Sequence, residues 1–291
     1  MMALLYTQMR DFQKGVNESM GKYNDIVLLT DMDGTLLDSN SKVSNENKEA
    51  IETFISGGGK FAIATGRGER NALKFIDDIK TNIPSILYNG CGLYDYKEDK
   101  FLELKLLSNE KLKSLLEDCM NHFPQVVIQI YSTTGCLIIT PEEFIDDDIR
   151  KHHSPYINCN LDEIMDKEWI KILFRGNKEE LADIERYFNN LNLDNDITVV
   201  YSSDIYLELL PSKSSKGDML LTLRKLIGEE CTYYAVGDYY NDVEMLKVAD
   251  VGIATLNAPD DVKNVADLVT VNNDNHVLAD IIYNIINNDS K

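Results

Sequence analysis

Two aspartates, Asp31 and Asp33, follow directly on a short apolar run and are separated by one residue. Because the run Ile26–Leu29 is typical of a strand buried on both faces, both carboxylates should emerge at the carboxyl end of that strand, where open α/β sheets build their sites. Gly34 lets the backbone turn, so the two side chains can converge on one point. Carboxylates beside a buried strand are costly without a cation, and Mg²⁺ prefers hard oxygen ligands. The spacing therefore predicts a magnesium site.

Three further segments place polar side chains at strand ends or helix starts. Thr65 and Gly66 follow an apolar run and offer a hydroxyl and backbone N–H groups, which favours an anion. Lys216 precedes a helix and offers a mobile positive charge for phosphate, and the glycine after it favours Lys216 over the nearby Lys213. A second acidic group follows another apolar run and consists of Asp238, Asn241 and Asp242. Each residue alone also fits a turn, a helix cap or a solvated surface, but the occurrence of the whole set at successive strand ends favours one common site.

Elements that could position these residues recur at both ends of the sequence, where apolar runs alternate with amphipathic helical patterns. The predicted strands lie at 26–29, 61–64, 85–88, 233–236, 251–254 and 268–271. Strand and helix in alternation predict parallel βαβ units and the α/β class.

The middle of the sequence is different in character. Alternating segments such as Val126–Tyr131 and Ile170–Phe174 predict half-buried antiparallel strands. The sequence is therefore expected to form a core from residues 25–95 and 206–291, interrupted by a smaller domain at 96–205. Residues 1–24 are an N-terminal extension to which no role is assigned.

Composition excludes several classes of function. The chain has 291 residues, and 49 acidic against 29 basic residues give a net charge of −20. This balance argues against a nucleic-acid binder and against docking on anionic membranes. The sequence has neither an apolar stretch of ~18 residues nor the apolar core of a signal peptide. Five scattered cysteines without a CxxC pair favour reduced thiols, no structural zinc site and a cytoplasmic protein.

The four polar segments resemble the four motifs of the haloacid dehalogenase-like hydrolases. The matching stretches are DMDGT (31–35), ATGR (64–67), SKG (215–217) and GDYYND (237–242). The insertion between the second and third motifs resembles the cap of the Cof-type phosphatases of subfamily IIB, and NGCG (89–92) and the stretch 252–267 are also similar to that group. The resemblance implies a Rossmann-like parallel-sheet core with an inserted smaller α+β cap that sets substrate specificity.

The resemblance also implies roles for individual residues in a Mg²⁺-dependent phosphatase that acts on a small phosphorylated metabolite. Asp31 would be the nucleophile that becomes an aspartyl-phosphate, and Asp33 would act as general acid and then general base. Mg²⁺ would be bound by Asp31, the backbone carbonyl of Asp33, Asp238 and, through water, Asp242. The phosphoryl oxygens would be bound by Thr65, Gly66, Lys216 and Asn241.

Two other functions fit the same motifs. A phosphohexose mutase would use the same two aspartates, and a phosphometabolite sensor would use the fold without catalysis. Differences from the group at 254–258 and 275–277 affect loops at the rim of the site, so they leave the substrate undecided. The basic stretch 150–153 could face a second anionic group of the substrate or be a solvated loop. The oligomeric state stays undecided.

Overall fold

The computed structural model describes residues 21–152, 155–191 and 197–289. Nearly all of the predicted N-terminal extension lies outside these residues. The strands, numbered in chain order, are β1 (Ile26–Thr30), β2 (Lys60–Ile63), β3 (Ser85–Leu87), β4 (Gly92–Asp95), β5 (Lys100–Leu104), β6 (Val127–Ser132), β7 (Gly135–Ile138), β8 (Tyr156–Asn158), β9 (Trp169–Arg175), β10 (Ile197–Ser203), β11 (Tyr206–Pro211), β12 (Thr232–Gly237), β13 (Val251–Ala254) and β14 (Leu268–Val269).

The α-helices, again in chain order, are α1 (Asn45–Ser56), α2 (Glu69–Ile79), α3 (Asn109–His122), α4 (Asp147–His152), α5 (Lys178–Asn190), α6 (Lys216–Ile227), α7 (Val243–Val248), α8 (Asp260–Lys263), α9 (Val277–Asp280) and α10 (Asn287–Asp289). A π-helical turn, Ile281–Ile286, joins the last two. Within the described residues no helix is both long and apolar enough to cross a membrane.

A five-stranded parallel sheet forms the centre of the core, in the order β14-β13-β12-β1-β2. Side chains of successive β1 residues enter different apolar clusters. Val27 and Leu29 pack with Leu220 of α6, whereas Leu28 packs with Phe54 of α1. Helices therefore cover both faces of the sheet, which confirms the predicted α/β class and explains why β1 is apolar throughout.

The helix α1 shows how local sequence sets an element's limits. The Ser44 hydroxyl accepts a hydrogen bond from the Asn47 N–H and caps the first turn. The helix ends at Ser56, immediately before three consecutive glycines, and the Gly57 N–H caps it by donating to the carbonyls of Ile55 and Thr53.

The third predicted strand lies elsewhere than expected. Strand β3 pairs antiparallel with β4 in a three-stranded sheet with β5, and only an isolated parallel bridge between Ala64 and Ile86 links it to the main sheet. Asn89 and Gly90 both have positive φ, 55° and 94°, so the chain turns back just after β3. This reversal brings Asn89 to the edge of the main sheet.

The inserted domain contains a six-stranded sheet in the order β10-β11-β9-β6-β7-β8. Its neighbours pair antiparallel, except β7 with β8, which confirms the antiparallel prediction for the middle of the chain. The predicted half-burial is wrong for β6 and β9, because nearly all of their residues are buried on both faces. Apolar side chains of α3 and α5 cover one face and pack around Trp169 and Phe174.

The strand pairing also bears on the limits of this domain. Strand β5 pairs with β4 of the core, and β11 pairs with β9 and β10 of the inserted sheet, although the sequence division assigned each to the other side. We therefore propose limits near residues 105 and 211. The two segments that connect the core with the inserted domain lie close together, as the hydrogen bond from Lys105 Nζ to the Lys213 carbonyl at 2.5 Å shows.

Candidate active site

The ends of three adjacent parallel strands bring the predicted residues together. Asp31 follows β1, Thr65 follows β2 after one residue, and Asp238 follows β12. In the register of the sheet, Thr30 lies beside Val236 on one side and Ile63 on the other. The three polar residues therefore lie at the same edge, and all of them line one cavity.

Three carboxylates lie close together beside this cavity, and two of them, Asp31 and Asp238, line it. Asp31, Asp238 and Asp242, here called the acidic cluster, can each offer an oxygen within 4.8 Å of the others. Lys216, which is fully buried, donates to Asp31 Oδ1 and Asp242 Oδ1 at 2.6 Å each. Three carboxylates and one ammonium leave two negative charges when all are ionised, which matches a divalent cation.

The pKa values of these groups reflect the shared charge. Burial raises the pKa of Asp31 well above its usual range; Lys216 opposes this rise, whereas Asp242 and Asp238 add to it. Burial and then Asp242 raise the pKa of Asp238 to about 7. Burial opposes the charge on Lys216, but Asp242 and Asp31 raise its pKa above the usual value. Ionisation of Asp31 and Asp238 is therefore unfavourable in the metal-free protein, and a bound cation would make it more favourable.

Hydrogen bonds fix the orientation of the acidic cluster. Asp242 Oδ2 accepts from the backbone N–H groups of Asp238 and Tyr239 at 3.0 and 3.1 Å. Thr35 donates its hydroxyl to Asp238 Oδ1 at 2.8 Å. Gly34 has φ 79°, and a Cβ there would lie 2.4 Å from Asp238 Oδ2. Only glycine lets the turn after β1 approach this carboxylate so closely.

Asp33 lies apart from the cluster, at the open side of the cavity. Its side chain is 56% exposed and accepts two hydrogen bonds from the Arg67 guanidinium, at 2.7 and 2.6 Å. This geometry is the bidentate contact that arginine forms with carboxylates. Burial opposes the charge on Arg67, but Asp33 raises its pKa.

The predicted phosphate-binding residues occupy two positions. Thr65, Gly66 and Asn241 line the cavity. The Thr65 hydroxyl accepts from the Arg67 N–H at 3.2 Å, so its own hydrogen stays available for donation. Lys216 is not among the described residues that line the cavity, whereas Lys213 is exposed. The prediction of a mobile charge is wrong, because Lys216 is buried and its hydrogen bonds to Asp31 and Asp242 hold it in place.

The cavity has a volume of about 830 Å³ and lies between the core and the inserted domain. The core contributes the acidic residues Asp31, Asp33 and Asp238 and the basic residues Arg67, Arg70 and Lys74 to its lining. The inserted domain contributes the opposite wall, with Tyr131, Lys171, Leu173, Ser202, Ser203, Asp204, Ile205, Tyr206 and Glu208. A small ligand held at the acidic cluster would therefore contact both domains.

The polar residues that the inserted domain contributes to the cavity were not predicted from the sequence. Lys171 and Glu208 form an ion pair at 2.7 Å, and their side chains are 3% and 2% exposed. Each is the one charged residue among apolar neighbours in its stretch, IKILF and YLELLP. A single charge inside an apolar strand is a signal that could have identified both, because burial without a partner would be costly.

The basic stretch 150–153 is only partly described. Arg150 donates to the backbone carbonyls of Ile145 and Glu142, at 3.0 and 2.7 Å, and is not among the described residues that line the cavity. The side chains of residues 151 and 152, and the whole of His153, lie outside the described part of the chain.

Comparison with known sequences identifies the family. The sequence profile of the haloacid dehalogenase-like hydrolases matches residues 28–282. "Phosphatase YwpJ" of Bacillus subtilis is 26% identical over 89% of this chain and 99% of that protein. The same organism's "5-amino-6-(5-phospho-D-ribitylamino)uracil phosphatase YwtE" is 27% identical over 86% of this chain and 94% of that protein. "Endoribonuclease YBEY, chloroplastic" of Arabidopsis thaliana is 27% identical over 88% of this chain, which spans 46% of the plant protein.

Solved structures share the fold. A haloacid dehalogenase-like hydrolase from B. subtilis has a TM-score of 0.78 at 24% identity, over 89% of this chain and 99% of that one. The subclass IIB sugar phosphatase BT4131 has a TM-score of 0.76 at 22% identity, over 88% of this chain and 97% of that one. The predicted resemblance, the fold class and the prediction of an enzyme of the phosphatase type are confirmed. The chain belongs to the haloacid dehalogenase-like hydrolases.

Proposed function

We propose that this chain is a Mg²⁺-dependent phosphatase that hydrolyses a small phosphorylated metabolite, through an aspartyl-phosphate on Asp31. The observation that carries the proposal is the position of Asp31. It is buried, lines a cavity between two domains, accepts a hydrogen bond from Lys216 at 2.6 Å and lies beside two further carboxylates. The carboxylate of Asp31 would repel an anionic phosphate monoester unless positive charge lay beside both. Lys216 and a divalent cation would supply that charge, so this setting suits attack on a phosphate monoester.

The donor set of the acidic cluster fits Mg²⁺. Asp31, Asp238 and the backbone carbonyl of Asp33 would bind the ion directly, as hard oxygen ligands. Asp242 already uses Oδ1 on Lys216 and Oδ2 on two backbone N–H groups, which supports an indirect contact through water. When bound, Mg²⁺ would neutralise charge between the carboxylates and the phosphoryl oxygens.

The protein residues would then divide the reaction into two steps. Asp33 first takes a proton from solvent on an oxygen that Arg67 releases. A carboxylate oxygen of Asp31 then attacks phosphorus and the bond to the leaving oxygen breaks, while Asp33 gives that oxygen its proton. Asp33 next takes a proton from water, whose oxygen attacks the aspartyl-phosphate and releases phosphate. Thr65, Gly66, Asn241 and the third N–H of Lys216 would hold the phosphoryl oxygens.

Several features support a small metabolite as substrate. The cavity of about 830 Å³ is within the range for small-ligand sites. A relative is named for a phosphorylated ribitylamino-uracil, and a structural neighbour is described as a sugar phosphatase. We propose that the substrate is a sugar phosphate or a phosphorylated cofactor, and that the inserted domain contacts its leaving group. The reduced cysteines expected from the sequence suit a cytoplasmic enzyme.

The test is turnover of p-nitrophenyl phosphate and of a panel of phosphorylated metabolites, with Mg²⁺ and with EDTA. The parent chain should release phosphate only with the metal, and Asp31→Asn should release none. Turnover by Asp31→Asn at the parent rate would refute the assignment. An isomerised phosphate ester without free phosphate would instead indicate the mutase, and metabolite binding without turnover would indicate the sensor.

A further inference from the structure

The ion pair of Lys171 and Glu208 is buried where the inserted domain meets the core. Burying two charges removes their hydration, and apolar residues of similar volume often stabilise a protein as well or better. Stability alone therefore does not explain the pair. The pair belongs to the inserted domain but bonds across the boundary to the core, because Lys171 Nζ donates to the Gly66 carbonyl at 2.9 Å and Glu208 accepts from Asn89 at 2.9 Å.

Glu208 is the final acceptor in a chain of hydrogen bonds in which Asn241 donates to Asn89 and Asn89 donates to Glu208. An ionised carboxylate accepts and cannot donate, so Asn89 must turn its Nδ2 group toward Glu208 Oε2. The Asn89 Oδ1 then faces the other way and accepts from Asn241 Nδ2 at 3.0 Å. Asn241 must in turn direct its NH₂ group, and not its carbonyl, toward Asn89.

Contacts along the chain leave little freedom for another arrangement. Asn89 has positive φ, and a Cβ on Gly66 would lie 3.0 Å from its amide atoms, so its side chain is closely packed. The Oδ1 of Asn241 is buried and has no hydrogen-bond partner among the described residues. Its amide orientation therefore depends on the bond to Asn89.

We propose that Glu208, held in place by Lys171, is a positioning residue that orients the Asn241 amide through Asn89. One hydrogen of the Asn241 NH₂ group is used on Asn89, and the orientation leaves the other for a phosphoryl oxygen. This inference rests on the proposed role of Asn241 as a phosphate ligand. It makes the inserted domain a contributor to phosphate binding, in addition to its contact with the leaving group.

The test is a double-mutant cycle between Glu208→Gln and Asn241→Ala, measured as kcat/KM for p-nitrophenyl phosphate and as inhibition by inorganic phosphate. Glutamine has the same shape but can donate, so it no longer sets the direction of the chain. We expect each single variant to lose about tenfold in kcat/KM and in phosphate affinity, and the double variant to lose no more than Asn241→Ala alone. Glu208→Asp, which still only accepts, should restore part of the loss.

Glu185→Gln is the matched control, because Glu185 accepts from the Tyr201 hydroxyl in the inserted domain and does not line the cavity. It should leave both measurements within about twofold. If Glu208→Gln does not fold, Lys171→Gln combined with Glu208→Gln keeps a neutral polar pair and should show the same loss. Parent-like kinetics of Glu208→Gln, or losses that multiply in the double variant, would overturn the proposal.

A result against the proposed function can be told apart from a result against this inference. If the parent chain releases no phosphate from any ester, the proposed function fails. The side-chain amide resonances of Asn241 in ¹⁵N–¹H spectra then still test the positioning. They should shift in Glu208→Gln and stay unchanged in Glu185→Gln, and unchanged resonances in both variants would overturn the inference.

Discussion

Substitution of Asp238 by asparagine should stabilise the metal-free protein, although it removes a proposed metal ligand. Asp238 lies beside the carboxylates of Asp31 and Asp242, and burial and then Asp242 raise its pKa from 3.8 to about 7. The native state therefore keeps this proton to higher pH than the unfolded state does. As the pH rises from about 4 to 7, the unfolded chain releases the proton first, so the free energy of unfolding of the parent falls.

The size of the effect follows from the shift. About three pKa units at ~1.4 kcal/mol each give an upper limit near 4 kcal/mol at pH 8. Asp238 is only half-buried, so solvent screening reduces this to about 2 kcal/mol. The introduced asparagine keeps a carbonyl oxygen that can accept from the Thr35 hydroxyl. We expect Asp238→Asn to raise Tm by about 5 °C at pH 8 without metal, and to change it little at pH 4.5.

Addition of Mg²⁺ should reverse the order. The parent should gain stability in proportion to the logarithm of the metal concentration, whereas Asp238→Asn should gain little. Thermal unfolding at both pH values, with EDTA or with about 10 mM Mg²⁺, gives the comparison. Asp118→Asn is the control, because Asp118 accepts from the Tyr187 hydroxyl at 3.0 Å, as Asp238 does from the Thr35 hydroxyl, but is exposed and lies in α3. A lower Tm for metal-free Asp238→Asn at pH 8, or an equal response to Mg²⁺ in parent and variant, would refute the reasoning.

Three further outcomes are expected. Gly34→Ala should lower the free energy of unfolding by about 1–3 kcal/mol more than Gly135→Ala does, as measured by denaturant unfolding. Both glycines have positive φ, but only a Cβ at position 34 would meet a carboxylate oxygen, that of Asp238 at 2.4 Å. Equal losses in the two variants would contradict this close approach. Arg67→Lys should change the free energy of unfolding by less than about 1 kcal/mol, because the Arg67–Asp33 pair is partly exposed. The variant should lower kcat, because lysine cannot form the bidentate contact that orients Asp33 at the cavity. An unchanged kcat would contradict a role for this contact. Burial raises the pKa of the Cys91 thiol to about 12, so iodoacetamide at pH 8 should leave it unmodified until the protein unfolds, as measured by mass spectrometry; rapid labelling of the native protein would contradict this.

The feature best predicted from the sequence is the proximity of polar residues that follow parallel strands. Asp31, Thr65 and Asp238 each follow an apolar run, and parallel strands must place their carboxyl ends at one edge, so their proximity could be expected before the sheet was known. The third strand could not be placed in this way. Its pairing depends on the chain reversal at Asn89, and positive φ at a non-glycine residue has only a weak signal in sequence.

Contacts across the domain boundary are the other part that sequence could not supply. Lys171 and Glu208 stand out as single charges in apolar strands, but nothing in their spacing shows that they pair, or that Asn89 lies between Glu208 and Asn241. Likewise, Arg67 belongs to a recognisable motif, yet its bond to Asp33 joins two different strand ends. Pairings of this kind depend on how two sheets lie against each other, and local patterns carry no information about that.

The neighbouring positions of Lys105 and Lys213 have a consequence for how such proteins diversify. The chain leaves the core and returns to it at points close enough for one side chain to bridge them. A core with such close attachment points loses little by accepting an insertion of a different length, because the entropy of closing a loop grows only slowly with its size. The inserted domain could therefore be exchanged in evolution, or by grafting, while the strand ends that carry Asp31 and Asp238 stay unchanged.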